Sequence, residues 1–255
     1  CRVAGVKPRD GETALQALRH HLMQGLLARV AATTRDFVLR GGYLTRVWIE
    51  PLPRPAEDLD FVGDFAFDID DTVARFRPAL ACTRDDGIVI DVERLVARGI
   101  WLHTAFPGVH LDVAIGVEHA DQRLGIDIGF GDPLVPPAVT WDDGLRVVRP
   151  ETQLAWKLHG LVEHAAQWRP KDLADLWLIA TRVHVDDDAL VLAIDVAFTS
   201  RGYTVAQAVH ALDDAAWSTK SARVRWASQR GLVLADVIAD VRARLAPVFA
   251  KLEVR

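Results

Sequence analysis

Asp58 and Asp60 carry the first chemical signal: two acids one residue apart, in the run Asp58-Leu59-Asp60-Phe61-Val62, fifteen residues beyond Gly41-Gly42. On a strand, residues two apart face the same side about 6.6 Å from each other, so both carboxylates would converge while Leu59 and Phe61 enter the core. Such a pair repels unless a cation sits between its members. Mg2+ takes one or two carboxylates together with phosphate oxygens and water, which is the arrangement a nucleotide-handling site needs. Asp68-Ile69-Asp70 repeats the spacing, but Asp70 and Asp71 open a helix there and read as capping acids. A third acid, Asp127, lies in the otherwise apolar run 124–130, where an unpaired carboxylate would cost several kcal/mol. It requires either a cation or a buried salt bridge, to Arg123 or Arg146. Asp112 is less compelling, because His110 and Glu118 suggest an exposed face.

A second constellation follows Pro150. Lys157 sits among Leu154, Trp156, Leu158 and Leu161, a poor place for a solvated ammonium unless its tip reaches a partner or a phosphate. Asp172 and Asp175 share one helix face. Asp172 is either a site residue or a carboxylate favoured by the helix N-terminus, and Asp175 invites a partner such as Lys157.

The elements that must hold these groups are marked by glycine and proline. Residues 1–150 contain 24 of the 29, so the first part reads as mixed α and β and the rest as nearly all helix. Apolar spacing predicts a leading helix over 12–32. Phe37-Val38-Leu39 reads as a strand stopped by Gly41-Gly42 and followed by a helix from Tyr43 to Ile49. A strand over 59–62 and a helix from Asp70-Asp71 to about Leu80 come next. Strands are expected over 88–92, 100–105, 109–117 and 123–130, the last two as an antiparallel pair. Helices are expected near 151–166, 171–182, 187–200, 204–215, 218–230 and 233–246. The fold class is α+β, with an α/β-type catalytic domain over 1–149 and a helical domain over 150–255.

Charge and composition exclude several classes. A formal net charge of −5 argues against a generally basic nucleic-acid coat, though not against a local basic groove. No apolar run approaches the roughly 18–20 residues of a membrane span, and no secretory signal pattern leads the chain, which makes the cytoplasm the expected location. Cys1 and Cys82 cannot build a disulfide framework and lie in no metal-binding spacing.

Taken in order, five segments resemble the AbiEii/AbiGii-type nucleotidyltransferase toxins of the DNA polymerase β-like superfamily: Phe37-Val38-Leu39-Arg40-Gly41-Gly42; Arg54 with Glu57-Asp58-Leu59-Asp60-Phe61; Asp127-Ile128-Gly129-Phe130-Gly131-Asp132-Pro133; Glu151 with Ala155-Trp156-Lys157-Leu158; and Arg169-Pro170-Lys171-Asp172 with Asp175-Leu176. The resemblance implies a mixed sheet bearing the metal acids and a helical lobe that completes a cleft. It implies that Asp58, Asp60 and Asp127 hold Mg2+ (or Mn2+) and that Lys157, with Gly41, Gly42, Arg54 and Asp175, serves the NTP. Asp172 completes the catalytic set. It further implies transfer of a nucleotide to RNA, notably the tRNA 3′ end, and a cognate antitoxin, expected to be a winged-helix regulator. Arg40, Arg169, Lys171, Arg223, Arg225 and Arg230 are available for RNA phosphates or simply line solvated faces.

Two positions depart from the family pattern. Tyr43 follows Gly42 where relatives carry a small hydroxyl, leaving backbone N–H groups to meet the phosphates. Ala56 stands where many relatives have Ser, two residues before the first metal acid. The other readings of the same residues are transfer to a small-molecule or protein hydroxyl, and a non-catalytic nucleotide-binding or interaction module.

Overall fold

A computed structural model describes residues 13–49, 55–117, 120–163, 169–210, 212, 224–227, 229 and 231–253. The chain divides into two compact units. One comprises Cys1–Val47, Arg54–Asp132 and Val139–Val147; the other comprises Trp48–Pro53, Pro133–Ala138 and Val148–Arg255.

The first unit is built on a seven-stranded mixed sheet in the order β3-β4-β5-β2-β1-β7-β6. Its elements are α1 (Ala14–Thr33), β1 (Phe37–Arg40), α2 (Gly41–Trp48), β2 (Leu59–Gly63), α3 (Ile69–Ala81), β3 (Ile88–Ile100), β4 (Gly108–Val117), β5 (Ala120–Phe130), β6 (Val139–Thr140) and β7 (Arg146–Val147). Thr13 starts α1 with a capping box, its hydroxyl accepting from the Gln16 N–H while the Gln16 side chain accepts from the Thr13 N–H. Strand alternation sorts the side chains: Leu39, Leu59, Phe61, Val109, Leu111, Ile126 and Ile128 are fully buried, while Arg40, Asp60, His110 and Asp127 occupy the alternating positions. Phe37, Phe61, Phe65, Phe76 and Phe130 meet edge to face and lock α3 to the sheet.

The expected antiparallel pair is present as β4 and β5. Three expectations are corrected. Residues 88–100 form one strand, and 101–105 form a turn in place of a strand, because the Trp101 carbonyl accepts from both the N–H and the hydroxyl of Thr104 and reverses the chain. Helix α3 is capped by Asp68, whose side chain accepts from the Asp71 N–H, so Asp70 and Asp71 lie inside its first turn. Helix α2 begins at Gly41 itself, two residues before Tyr43.

The second unit is helical: α4 (Pro150–Glu163), α5 (Pro170–Arg182), α6 (Asp187–Thr199), α7 (Val205–His210) and α8 (Leu234–Glu253). Its core runs through Leu154, Leu158, Leu173, Leu176, Ile194, Phe198, Val241 and Leu245. Helix α8 continues past Pro247; the buried stripe Val241, Leu245, Val248 and Leu252 outweighs the roughly 3 kcal/mol an interior proline costs. Most of the expected helix over 218–230 lies outside the described residues. No helix among the described residues is long and apolar enough to cross a membrane.

Candidate active site

Register aligns one row of polar side chains across five strands of the first unit. Arg40 of β1 faces Asp60 of β2, Asp60 faces Asp127 of β5, Asp127 faces His110 of β4, and His110 faces Arg98 of β3. Directly opposed residues share a face, so two carboxylates stand side by side at the centre with a basic residue at either end. Asp58 lies exposed immediately before β2.

The sequence permits this row at specific points. Gly41 ends β1 with φ of 81°, and a Cβ there would lie 1.9 Å from Asp60 Oδ2 and 2.7 Å from Asp60 Cβ. Only glycine tolerates both the backbone angle and the approach. The Thr45 hydroxyl donates to the Gly41 carbonyl at 3.2 Å, fastening the turn to the helix that follows. Tyr43 is buried and stacked on His20, so its hydroxyl does not replace the missing small one.

Asp127 is paired with His110, Oδ1 to Nδ1 at 2.5 Å. That corrects both expected salt-bridge partners: Arg123 approaches Asp112 at 3.4 Å, and Arg146 pairs with Asp64 at 2.8 Å. Room for the imidazole comes from Gly125, where a Cβ would lie 3.2 Å from His110 Cε1. Arg40 is held at 2.9 Å by the buried Asp132, a partner 92 residues away. His110 and Asp132 were not expected as site residues. His110 was signalled only as a neighbour of Asp112, and its link to Asp127 depends on the β4–β5 register.

The oxygen-only donor pair Asp60 and Asp127 suits a hard divalent cation, which needs no more than one or two carboxylates beside substrate phosphates. The seat that Gly41 leaves for the Asp60 carboxylate fits the same chemistry. Among the described residues, no three His, Cys, Asp or Glu side chains gather into a ready metal-binding group. Arg54 lies outside the described residues.

In the second unit, Lys157 Nζ lies 2.8 Å from Asp172 Oδ1 and 3.0 Å from Asp175 Oδ2, so its expected partner is present. Burial pulls the Lys157 ammonium down, but the charges of Asp175 and Asp172 overcome this and raise it above its ordinary range. Burial pushes Asp172 up, and Lys157 and Arg169 outweigh it, holding the carboxyl below the usual 3.8. Pro170 opens α5, which places Asp172 in the first turn with Arg169 Nε at 3.0 Å. Glu151 Oε1 accepts from the Asp186 N–H at 3.0 Å, a helix-joining role.

A known structure with a TM-score above 0.5 shares this architecture. JHP933 from Helicobacter pylori is 17% identical, with 94% of each chain covered and a TM-score of 0.55. A candidate nucleotidyltransferase from H. pylori is 15% identical, covering 95% of this chain and 98% of its own, with a TM-score of 0.46. An antigenic nucleotidyltransferase-like protein from Paracoccidioides brasiliensis is 12% identical, covering 76% and 93%, with a TM-score of 0.41. No curated protein matches the sequence. Residues 25–249 match the family described as nucleotidyl transferase AbiEii toxin, type IV TA system, and with the mixed sheet and its central acids this chain belongs to that family of nucleotidyltransferases.

Proposed function

We propose that the chain transfers a nucleoside monophosphate from an NTP to an RNA hydroxyl, in particular the 3′ end of tRNA, releasing pyrophosphate as the toxin of a toxin–antitoxin pair. The observation that supports this most is the register pairing of Asp60 with Asp127 beside the Gly41 turn. Asp58, Asp60 and Asp127 would hold Mg2+, which when bound supplies the positive charge that neutralises the triphosphate and the departing pyrophosphate. Gly41, Gly42 and the first N–H groups of α2 receive the phosphates, since a helix N-terminus directs unpaired donors at an anion. Lys157, a cation held by Asp172 and Asp175 within the second unit, is proposed as a phosphate-binding residue, and so is Arg54. With Oδ1 held by His110, Asp127 offers Oδ2 to the attacking hydroxyl. Catalysis is then positioning and charge neutralisation in an in-line displacement. The antitoxin partner that the family implies is proposed to be a winged-helix regulator.

Incubation with each labelled NTP, Mg2+ and total RNA is expected to place label on RNA. Asp60→Asn and Asp127→Asn are expected to reduce that label about a hundredfold or more while leaving the thermal midpoint nearly unchanged. Full transfer by either variant would remove the assignment. Label on a small molecule or on protein would move the acceptor to those classes.

A further inference from the structure

The turn after β3 presents Trp101 in a conformation that side chains rarely adopt. Its φ is 55°, the one positive value at a non-glycine residue among those described, and 46% of the residue is exposed. A bulky residue in the left-handed region costs about 1–3 kcal/mol and persists only where its surroundings over-determine it. They do so here: the Trp101 carbonyl accepts from the Thr104 N–H at 3.0 Å and from the Thr104 hydroxyl at 2.9 Å, and the Phe106 N–H donates to that same hydroxyl at 3.1 Å.

The indole has a defined floor. Trp101 Cε3 lies 2.8 Å from where a Gly108 Cβ would be, so the ring occupies the space that glycine vacates. Gly108 is two residues before His110 on β4 and pairs with Gly129, two residues beyond Asp127 on β5. These positions share one face of the sheet. The ring therefore sits on the face that carries Asp127 and His110, the face to which register also assigns exposed Arg98, paired with His110.

The position within the row has a direction. The Gly41 turn stands at the β1 end, with Asp60 and then Asp127 inward of it; Arg98 and Trp101 lie at the β3 end. In-line displacement needs the attacking hydroxyl on the side of phosphorus opposite the leaving pyrophosphate. If pyrophosphate departs toward the Gly41 turn, the acceptor arrives over β4 and β3. An exposed, pre-set aromatic face on the same side of the sheet as an exposed arginine suits a single-stranded end, because every base offers a π-face and its backbone a phosphate.

The geometry points to Trp101 as a stacking platform for the terminal nucleobase of the RNA acceptor, with Arg98 meeting an adjacent phosphate. This rests on the reading that the acceptor is RNA. The probe is a fluorescein-labelled hexaribonucleotide with a free 3′ hydroxyl, bound to the full chain and followed by anisotropy without turnover. Trp101→Ala is expected to weaken binding about tenfold or more, and Trp101→Phe to retain it within about threefold. Arg98→Ala should flatten the slope of log affinity against log salt by about 0.7, the value for one phosphate on a single strand. In transfer assays the Trp101→Ala defect is expected in KM for RNA. A defect in KM for the NTP instead would assign the stacked base to the nucleotide and overturn the acceptor role. Unchanged hexamer binding by Trp101→Ala, with circular dichroism showing it folded, would also overturn it. Absence of label on RNA with wild-type protein would sink the RNA-transfer reading, while the anisotropy comparison still decides the platform.

Discussion

Lys157 shows how a residue proposed to meet a substrate can also hold a fold together. It is the cation shared by two buried carboxylates, Asp172 and Asp175, so its removal takes a positive charge from both and leaves Asp172 to Arg169. Breaking a buried pair in this way costs about 3–5 kcal/mol, and Lys157→Met is expected to lose that much in urea unfolding at pH 7. The pH dependence follows from Asp172, whose folded value lies below its ordinary 3.8. Its stabilisation is fully present above that ordinary value and is lost as pH falls through the lower folded one. The gap between wild type and Lys157→Met should hold steady from about pH 5 to 8 and shrink below about pH 4. An activity loss in this variant must therefore be read beside its stability. The acids and Lys157 were legible in the sequence because charge in an apolar run is costly and demands a partner. Which partner was legible only nearby: Asp175, eighteen positions from Lys157, followed from helix spacing, whereas the Asp127–His110 and Arg40–Asp132 links depend on strand register.

At the level of elements, the β1–α2 junction is the most constrained turn of the first unit. Gly41→Ala would place a methyl group within 2.7 Å of Asp60 Cβ as well as against its carboxylate, so the strand itself must shift. Together with the positive φ, this is expected to cost about 1–3 kcal/mol in chemical denaturation. It should also weaken Mn2+ binding measured by electron paramagnetic resonance; wild-type metal affinity in Gly41→Ala would separate the turn from the acids. The glycine-bounded strand and the helix after it were readable from composition, as were β4 and β5 from alternation. The 101–105 turn was not, since Ile100 and the run after it look apolar and the reversal depends on the Thr104 hydroxyl. The strands β6 and β7 have two residues each, too few for any period to register.

For the molecule as a whole, the net charge of −5 means that any RNA is held against an unfavourable background. Binding should therefore be local. With Arg98 and two or three further cations in reach of the strand, the salt slope for single-stranded RNA is expected to be about −2 to −3, or no more than about four phosphates. A slope near −5 would require a long basic track and would contradict the expectation. The fold class and the order of its parts were readable along the chain because glycine and proline concentrate before residue 150. The assignment of Trp48–Pro53 and Pro133–Ala138 to the helical unit was not, because short connecting segments carry no periodicity that says which core they serve.

The sheet ends at β3, a thirteen-residue strand whose outer side has no strand neighbour among the described residues. An edge that long is ordinarily a template for self-association into fibres. Its ladder with β4 is interrupted between Asp91 and Val96, leaving paired stretches of Ile88–Asp91 and Val96–Ile100 with Glu93 and Arg94 between them. Each stretch is shorter than the six or seven residues that nucleate cross-β stacking. The irregularity thus acts as a safeguard: the sheet keeps an open margin with no uninterrupted stretch long enough to template cross-β stacking.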